Sequence, residues 1–140
     1  MTESVLERNP LVRSQHNMDA YFQTHDIQYV AEDAVFINMN NGEKTHGREA
    51  IAGMLHFIYQ VAFDAKAEIV NTIVTEKKAL LEARFTGRHI GEIAGISPTG
   101  NQVDVPLIVS YDLANGLIKT ARIYMLESVL EKQLAAEIRK

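Results

Sequence analysis

The sequence predicts an α+β fold, and three observations carry that prediction. Apolar residues recur at helical spacing in the first half and again near the C-terminal end, while the second half reads as a succession of strands. Asn115-Gly116 separates two apolar runs, the pattern of a tight antiparallel hairpin. No internal repeat or low-complexity linker interrupts the 140 residues, a length suited to a single domain over residues 1–140.

The elements follow in order. A first helix is expected over about 11–23, where Leu11, Met18, Tyr21 and Phe22 fall on one face. Asp26 is placed to cap a second, shorter helix over Ile27–Ala31. Ala34–Met39 is short, apolar and partly β-branched, hence a strand, and Asn40-Asn41-Gly42 turns the chain. The clearest helix covers 48–62: Ile51, Met54, Leu55, Ile58 and Ala62 form its stripe, with Gly47 at the N-cap position. A strand over 65–75 follows, then the polar turn Glu76-Lys77-Lys78. The next strand runs long and irregular over 79–93, where Gly87 and Gly91 mark a bend or bulge. The stretch Gly95–Gln102 is a loop. Val103–Leu113 is a strand in which Pro106 predicts an edge position or a bulge. The type I′ turn at Asn115-Gly116 then makes Leu117–Leu126 its antiparallel partner. A closing helix starts at about Val129. Ser128 and Glu131 read as its capping box, Leu130, Leu134 and Ile138 share a face, and Arg139 and Lys140 suit the negative end of its dipole.

Composition narrows the function. Fourteen Lys and Arg against eighteen Asp and Glu give a net charge of -4, and the charges are scattered. Nothing here forms the basic footprint of a nucleic-acid or anionic-membrane binder. No run of about 18 apolar residues exists, so no membrane-spanning helix is expected. The opening MTESVLERNP has two acids and no apolar core, unlike a signal peptide. The absence of cysteine excludes disulfides, thiolate zinc sites, iron–sulfur ligation and cysteine nucleophiles. It fits a reducing, cytoplasmic setting. Neither a phosphate-binding glycine loop nor a G-x-S-x-G elbow occurs, so nucleotide binding and serine hydrolysis find no support.

The stretch Phe85–Gly100, F-T-G-R-H-I-G-E-I-A-G-I-S-P-T-G, resembles the G-x-H-x-G-x-x-x-G-x-x-P-T-G signature of the SnoaL-like polyketide cyclases. Ala31–Phe36, His46–Ile51, the Asn115–Ile118 hairpin and the pair Gln133-Leu134 also match that family's layout. The resemblance covers roughly residues 10–135. It implies the cone-shaped nuclear-transport-factor-2-like α+β fold, shared with ketosteroid isomerases and limonene-epoxide hydrolases. It further implies a curved antiparallel sheet packed on N-terminal helices, an apolar pocket between them that takes a small hydrophobic molecule, and a homodimer through the sheet. No cofactor is implied. One departure stands out. The cyclases end their last strand with an acid that shuttles protons, and alignment on Tyr124 and Gln133-Leu134 puts Leu126 at that position.

The candidate residues follow from that alignment. If position 126 faces the pocket, alternation brings Arg122 and Tyr124 with it. Arg122 would hold an enolate or carboxylate and Tyr124 a carbonyl oxygen. In the plainer reading, Arg122 pairs with an acid and Tyr124 packs. Glu127, one residue on, reaches the pocket only if a bulge or the strand end re-aims it. His89 is a candidate base or donor; alternatively it bonds the loop backbone and holds the Pro-Thr-Gly turn. Asp104 or Glu82 would supply an acid if desolvated, or else sits on a solvated sheet face. Asp33 caps or turns the chain. His46 is placed at the pocket rim and His56 beside the apolar stripe, while His16 and His25 carry only helix-face signals. The histidines show no H-x-x-x-H or H-x-H spacing, so no metal is expected. Tyr21, Phe22, Tyr59 and Phe85 are expected as pocket wall together with Leu126. Two functions stand: cofactor-free acid–base cyclisation or isomerisation of a hydrophobic carbonyl compound, and a non-catalytic small-molecule-binding dimer that has lost the family's acid. A structural dimer with a plugged pocket is a third.

Overall fold

The computed structural model describes residues 8–136. The first helix, α1 (Pro10–Thr24), starts where proline costs nothing, because the amide missing at Pro10 would have no helical acceptor. Asn9 caps it, its Oδ1 accepting from Val12 N–H at 3.1 Å. Ser14, Met18, Tyr21 and Phe22 make up the buried stripe. The Ser14 hydroxyl is satisfied by donating to the Glu76 carbonyl at 2.7 Å. His25 ends the helix in the left-handed region at φ 55°. The Asp26 carboxylate accepts from Gln28 N–H at 2.9 Å, as a cap should. The helix it caps is only a 3-10 turn, Ile27–Tyr29, because Val30 and Ala31 join the first strand instead.

Six strands form one curved sheet in the order β2-β1-β6-β5-β4-β3. They are β1 (Val30–Asn38), β2 (Lys44–His46), β3 (Phe63–Val74), β4 (Lys78–His89), β5 (Gln102–Ala114) and β6 (Leu117–Met125). All neighbours are antiparallel except β1 and β6, which run parallel. The short strand β2 is absent from the sequence reading. It pairs with β1 across the Asn40–Gly42 turn, where Gly42 takes φ 79°.

Helix α2 (Arg48–His56) lies between β2 and β3, with Gly47 at its N-cap and Ile51 fully buried. The expected helix over 48–62 is one helix in extent but not in kind. From Phe57 to Ala62 it widens into π-helical turns. Within it Ile58 and Tyr59 line the cavity described below, and Ala62 and the following Phe63 are buried in the core. Helix α3 (Glu127–Ala135) closes the described chain. It starts two residues before the expected point, because the Leu126 carbonyl already accepts from Val129 and Leu130 N–H at 3.0 and 3.2 Å. Ser128 therefore sits inside the first turn and caps nothing, so the capping box is not formed. Ile138, Arg139 and Lys140 lie outside the described residues.

The glycine and proline signals resolve differently from expectation. Neither Gly87 nor Gly91 makes a bulge. Each is a point of close backbone approach: a Cβ on Gly87 would meet the Asp64 carbonyl and Ala65, and one on Gly91 would meet the Val61 carbonyl. The register shifts lie elsewhere: in β3 at Val70, in β6 at Lys119, and in β1 between Val30 and Val35. Pro106 occupies neither an edge strand nor a bulge. Its carbonyl accepts from Leu126 N–H at 3.2 Å, so its nitrogen also faces β6, beyond Met125 where that strand has ended. The missing donor therefore has no ladder to break. Asn115 and Gly116 take φ 53° and 75°, the double positive φ of a type I′ turn, as expected.

On β4 and β5 the odd-numbered residues are the inner set, among them Leu81, Phe85, Val105, Leu107, Val109 and Tyr111. They form two adjoining clusters with the helices. Met18, Tyr21, Phe22 and Ile51 belong to one, and Ala62, Phe63 and Leu134 to the other.

Candidate functional site

A cavity of about 290 Å³ lies between the inner sheet face and the helices. That size is near the lower end of small-molecule sites. Its buried walls are apolar and aromatic, with Phe36, Phe63, Phe85, Leu107 and Val109 among them. The polar lining falls into two groups. Asn38, Asn40, Glu43 and Thr45 come from β1, β2 and the turn between them, with Glu127 beside them at the head of α3. Tyr21, His25, Tyr59 and Tyr111 form the second group, two strands away from β1 over β5 and β4.

The inner residues of β6 decide which expected side chains enter. Ile118 pairs with Leu113 and faces inward, but Thr120 pairs with Asp112, leaving Lys119 as an extra residue. Beyond it the phase is reversed. Ala121 is fully buried, and Ile123, Met125 and Glu127 line the cavity. Had the phase of Ile118 continued, positions 122, 124 and 126 would have faced in, as the alignment on Leu126 supposes. That supposition is corrected: Arg122, Tyr124 and Leu126 lie on the outer side, away from the cavity. Arg122 donates to Asp112 Oδ2 at 2.8 Å, and Asp112 also pairs with Lys78. These two donors hold the Asp112 carboxyl at about 2. Tyr124 and Leu126 are about half exposed.

The other expected site residues divide. Tyr21, Tyr59, Phe85 and Glu127 meet at the cavity. Phe22 is buried behind it, its ring centroid 5.9 Å from that of Tyr111. His46 and His56 are exposed and do not line it. Asp104 is on the outer face, where its carboxylate accepts from Arg84 Nε at 2.7 Å. Glu82, also outer, accepts from Asn71 at 2.8 Å. Asp33 pairs with Lys119.

His89 is fully buried outside the cavity lining. Its Nδ1 accepts from Thr99 N–H at 3.1 Å and lies 3.0 Å from Thr99 Oγ1, which accepts from Asn101 N–H. The ring proton therefore sits on Nε2. These bonds hold the Pro98-Thr99-Gly100 turn. Asn101, which the sequence reading passed over, clamps α3: its Nδ2 lies 2.9, 3.3 and 2.9 Å from the carbonyls of Gln133, Leu134 and Ala136. Gln133 adds a two-point bond to the Asp104 backbone, donating to its carbonyl at 2.9 Å and accepting from its N–H at 2.8 Å. The clamp fixes the helix that presents Glu127 and Leu130 to the cavity.

His25 and Tyr111 are the lining residues most consequential for chemistry that the sequence reading missed. Alternation along 103–113 contained the signal for Tyr111, since it shares a face with Val105 and Val109. His25 had none, because its direction depends on its left-handed backbone. Burial lowers the His25 pKa and raises those of all three tyrosines, Tyr59 to about 12. The tyrosine hydroxyls therefore stay protonated near neutral pH.

Among the described residues, no group of three or more His, Cys, Asp or Glu side chains is placed to hold a metal ion. No described helix is long and apolar enough to cross a membrane.

Comparison with known proteins agrees with this architecture. The family model of SnoaL-like polyketide cyclases matches residues 13–134. None of the curated proteins matches in sequence. Among solved structures, a candidate SnoaL-like polyketide cyclase from Jannaschia sp. CCS1 superposes with a TM-score of 0.81 at 17% identity, covering 99% of both chains. A candidate polyketide cyclase from Xanthomonas campestris gives 0.79 at 17% identity, covering 91% of this chain and 100% of its own. A protein of ketosteroid-isomerase-like fold from Catenulispora acidiphila, solved in complex with trimethylamine, gives 0.65 at 17% identity, covering 86% of this chain and 91% of its own. At such identities the likeness is one of fold.

Proposed function

The chain belongs to the SnoaL-like polyketide cyclase family, and from that membership we propose that it binds a small hydrophobic, polyketide-like carbonyl compound and catalyses cofactor-free acid–base cyclisation or isomerisation on it. The observation that carries this reading is Glu127, a carboxylate on the lining of a largely apolar cavity. In the reaction its carboxylate removes a proton α to a carbonyl, leaving an enolate and a carboxylic acid. In a cyclisation the enolate carbon attacks a second carbonyl, one carbon–carbon bond forms, and the new alkoxide takes the proton back from Glu127. In an isomerisation the same proton returns to a different carbon. Neither route consumes a co-reactant.

The non-catalytic alternative took its ground from Leu126 standing in the place of an acid. Leu126 lies on the outer side and the inward position carries Glu127, so that ground no longer favours it.

Hydrogen–deuterium exchange at the methyl group of 2-acetylnaphthalene, followed by NMR in D2O, tests the chemistry. The protein should accelerate exchange, and Glu127→Gln should slow it by about 10²-fold or more, a typical general-base contribution. An unchanged rate in Glu127→Gln would remove Glu127 from the reaction. Saturable binding without exchange in the wild-type protein would select the non-catalytic alternative.

We also propose a homodimer through the outer sheet face. Ile73, Ile108 and Tyr124 are exposed there, and Leu126 lies at its edge. A second copy of the same face would cover them.

A further inference from the structure

The fold leaves a set of aromatic polar side chains in the cavity without hydrogen-bond partners. Tyr21 at the end of α1, Tyr59 on the π-helical turns and Tyr111 on β5 line it together with His25. Their rings form a connected group. His25 lies 5.3 Å from Tyr21 and 4.7 Å from Tyr59 between centroids, and Tyr21 lies 6.1 Å from Tyr111. Among the described residues, none of the three hydroxyls and neither His25 ring nitrogen makes a hydrogen bond. The side-chain atoms that are both sealed from solvent and unpaired are Thr86 Oγ1 and His89 Nε2. The tyrosine hydroxyls are thus open, and the space these side chains line is the cavity.

The charge of the lining is equally specific. Among the described residues it contains no lysine or arginine, and its carboxylates are Glu43 and Glu127. A carboxylate or phosphate entering the cavity would be desolvated with no cation to meet it and two acids nearby. An uncharged oxygen meets neither difficulty, and it supplies the acceptor that unpaired hydroxyls lack.

Building on the ligand-binding reading above, we propose that the Tyr21–Tyr59–Tyr111–His25 group is a specificity site that holds the oxygen of an uncharged hydrophobe, a ketone or a phenol, and that the cavity rejects carboxylates. Burial supports the assignment, because it keeps the tyrosines as neutral donors and the imidazole uncharged.

Five naphthyl probes test it: 2-acetylnaphthalene, 2-naphthol, naphthalene, 2-naphthoate and 2-naphthylmethylammonium. The chain has no tryptophan, so naphthyl emission reports binding directly. The ketone and the phenol should bind about tenfold more tightly than naphthalene, the increment of one or two good hydrogen bonds. Naphthoate should bind more weakly than naphthalene. Tyr21→Phe, Tyr59→Phe and Tyr111→Phe should each lower ketone affinity about three- to tenfold and leave naphthalene affinity unchanged. Naphthoate or the ammonium matching the ketone in wild-type protein would overturn the proposal without any variant. So would an unchanged ketone-to-naphthalene ratio in folded tyrosine variants. Equal binding of all five probes overturns this specificity alone, whereas binding of none overturns the ligand-binding reading with it.

Discussion

Replacing Asn101 with alanine removes the clamp on α3, and the structure allows the cost to be worked out. The Asn101 amide is buried and within reach of three carbonyls, but it has two hydrogens, so it makes the equivalent of about two bonds. Each is worth about 1 kcal/mol net, and a carbonyl left buried without a donor adds about 1 kcal/mol more. The carbonyls of Gln133 and Ala136 are partly open to water; that of Leu134 is the one left dry. The expected loss is about 2–3 kcal/mol. A chain of 140 residues unfolds with an entropy of about 0.3 kcal/mol/K, so Tm should fall by about 7–10 °C. Thermal melting followed by circular dichroism measures the fall. Hydrogen exchange adds the location: amides of 127–135 should lose protection before those of β4 and β5. A fall of less than about 2 °C, or loss of protection spread evenly over the sheet, would refute the reasoning.

Gly91→Ala should destabilise by about 1–3 kcal/mol, because its Cβ would meet the Val61 carbonyl and lie 3.2 Å from Ala62 Cα. Gly53→Ala, with nothing within 4 Å in the middle of α2, should stabilise by about 0.8–1 kcal/mol; denaturant midpoints of the pair check both signs. His25→Gln should flatten the acid side of the stability curve. With the folded His25 pKa lowered by burial, below about pH 6.5 the unfolded chain takes a proton that the folded chain refuses, so wild-type stability falls as pH drops. Equal pH dependence in variant and wild type, from urea unfolding at pH 7.5 and 5.5, would contradict this. Ile108→Asp should convert a dimer to a monomer by light scattering while the Tm of the isolated subunit changes little, since Ile108 is exposed in one chain.

The fold was legible because its signals are local. Asn115-Gly116 needs only its own positive φ angles, and the alternation in Val103–Leu113 survives in β5. What failed locally failed for reasons lying across the chain. Ser128 looks like a cap until the Leu126 carbonyl is seen to start the helix. Pro106 looks like an edge residue until β6 is seen to end beside it. The site was less legible. Tyr21, Tyr59, Phe85 and Glu127, singled out from pattern and resemblance, line the cavity, but Arg122, Tyr124 and Leu126 were assigned to the wrong face by an alignment that put Leu126 inward and alternation back from it. Nothing in Leu117–Leu126 announces the extra residue Lys119. His25 required a left-handed backbone at a helix end, and Asn101 required knowledge of where α3 stops.

Position 119 therefore has an unusual mutational profile. Its side chain matters little, since its ion pair with Asp33 is largely solvated and such pairs contribute about 0–1 kcal/mol. Its loss should matter little too, because Ile118 and Thr120 would then stand as neighbours opposite Leu113 and Asp112, and Ala121, Ile123 and Met125 would keep their inward faces. The chain thus holds one spare residue in a strand that borders the site, at a position where both change and deletion leave the inward set as it is.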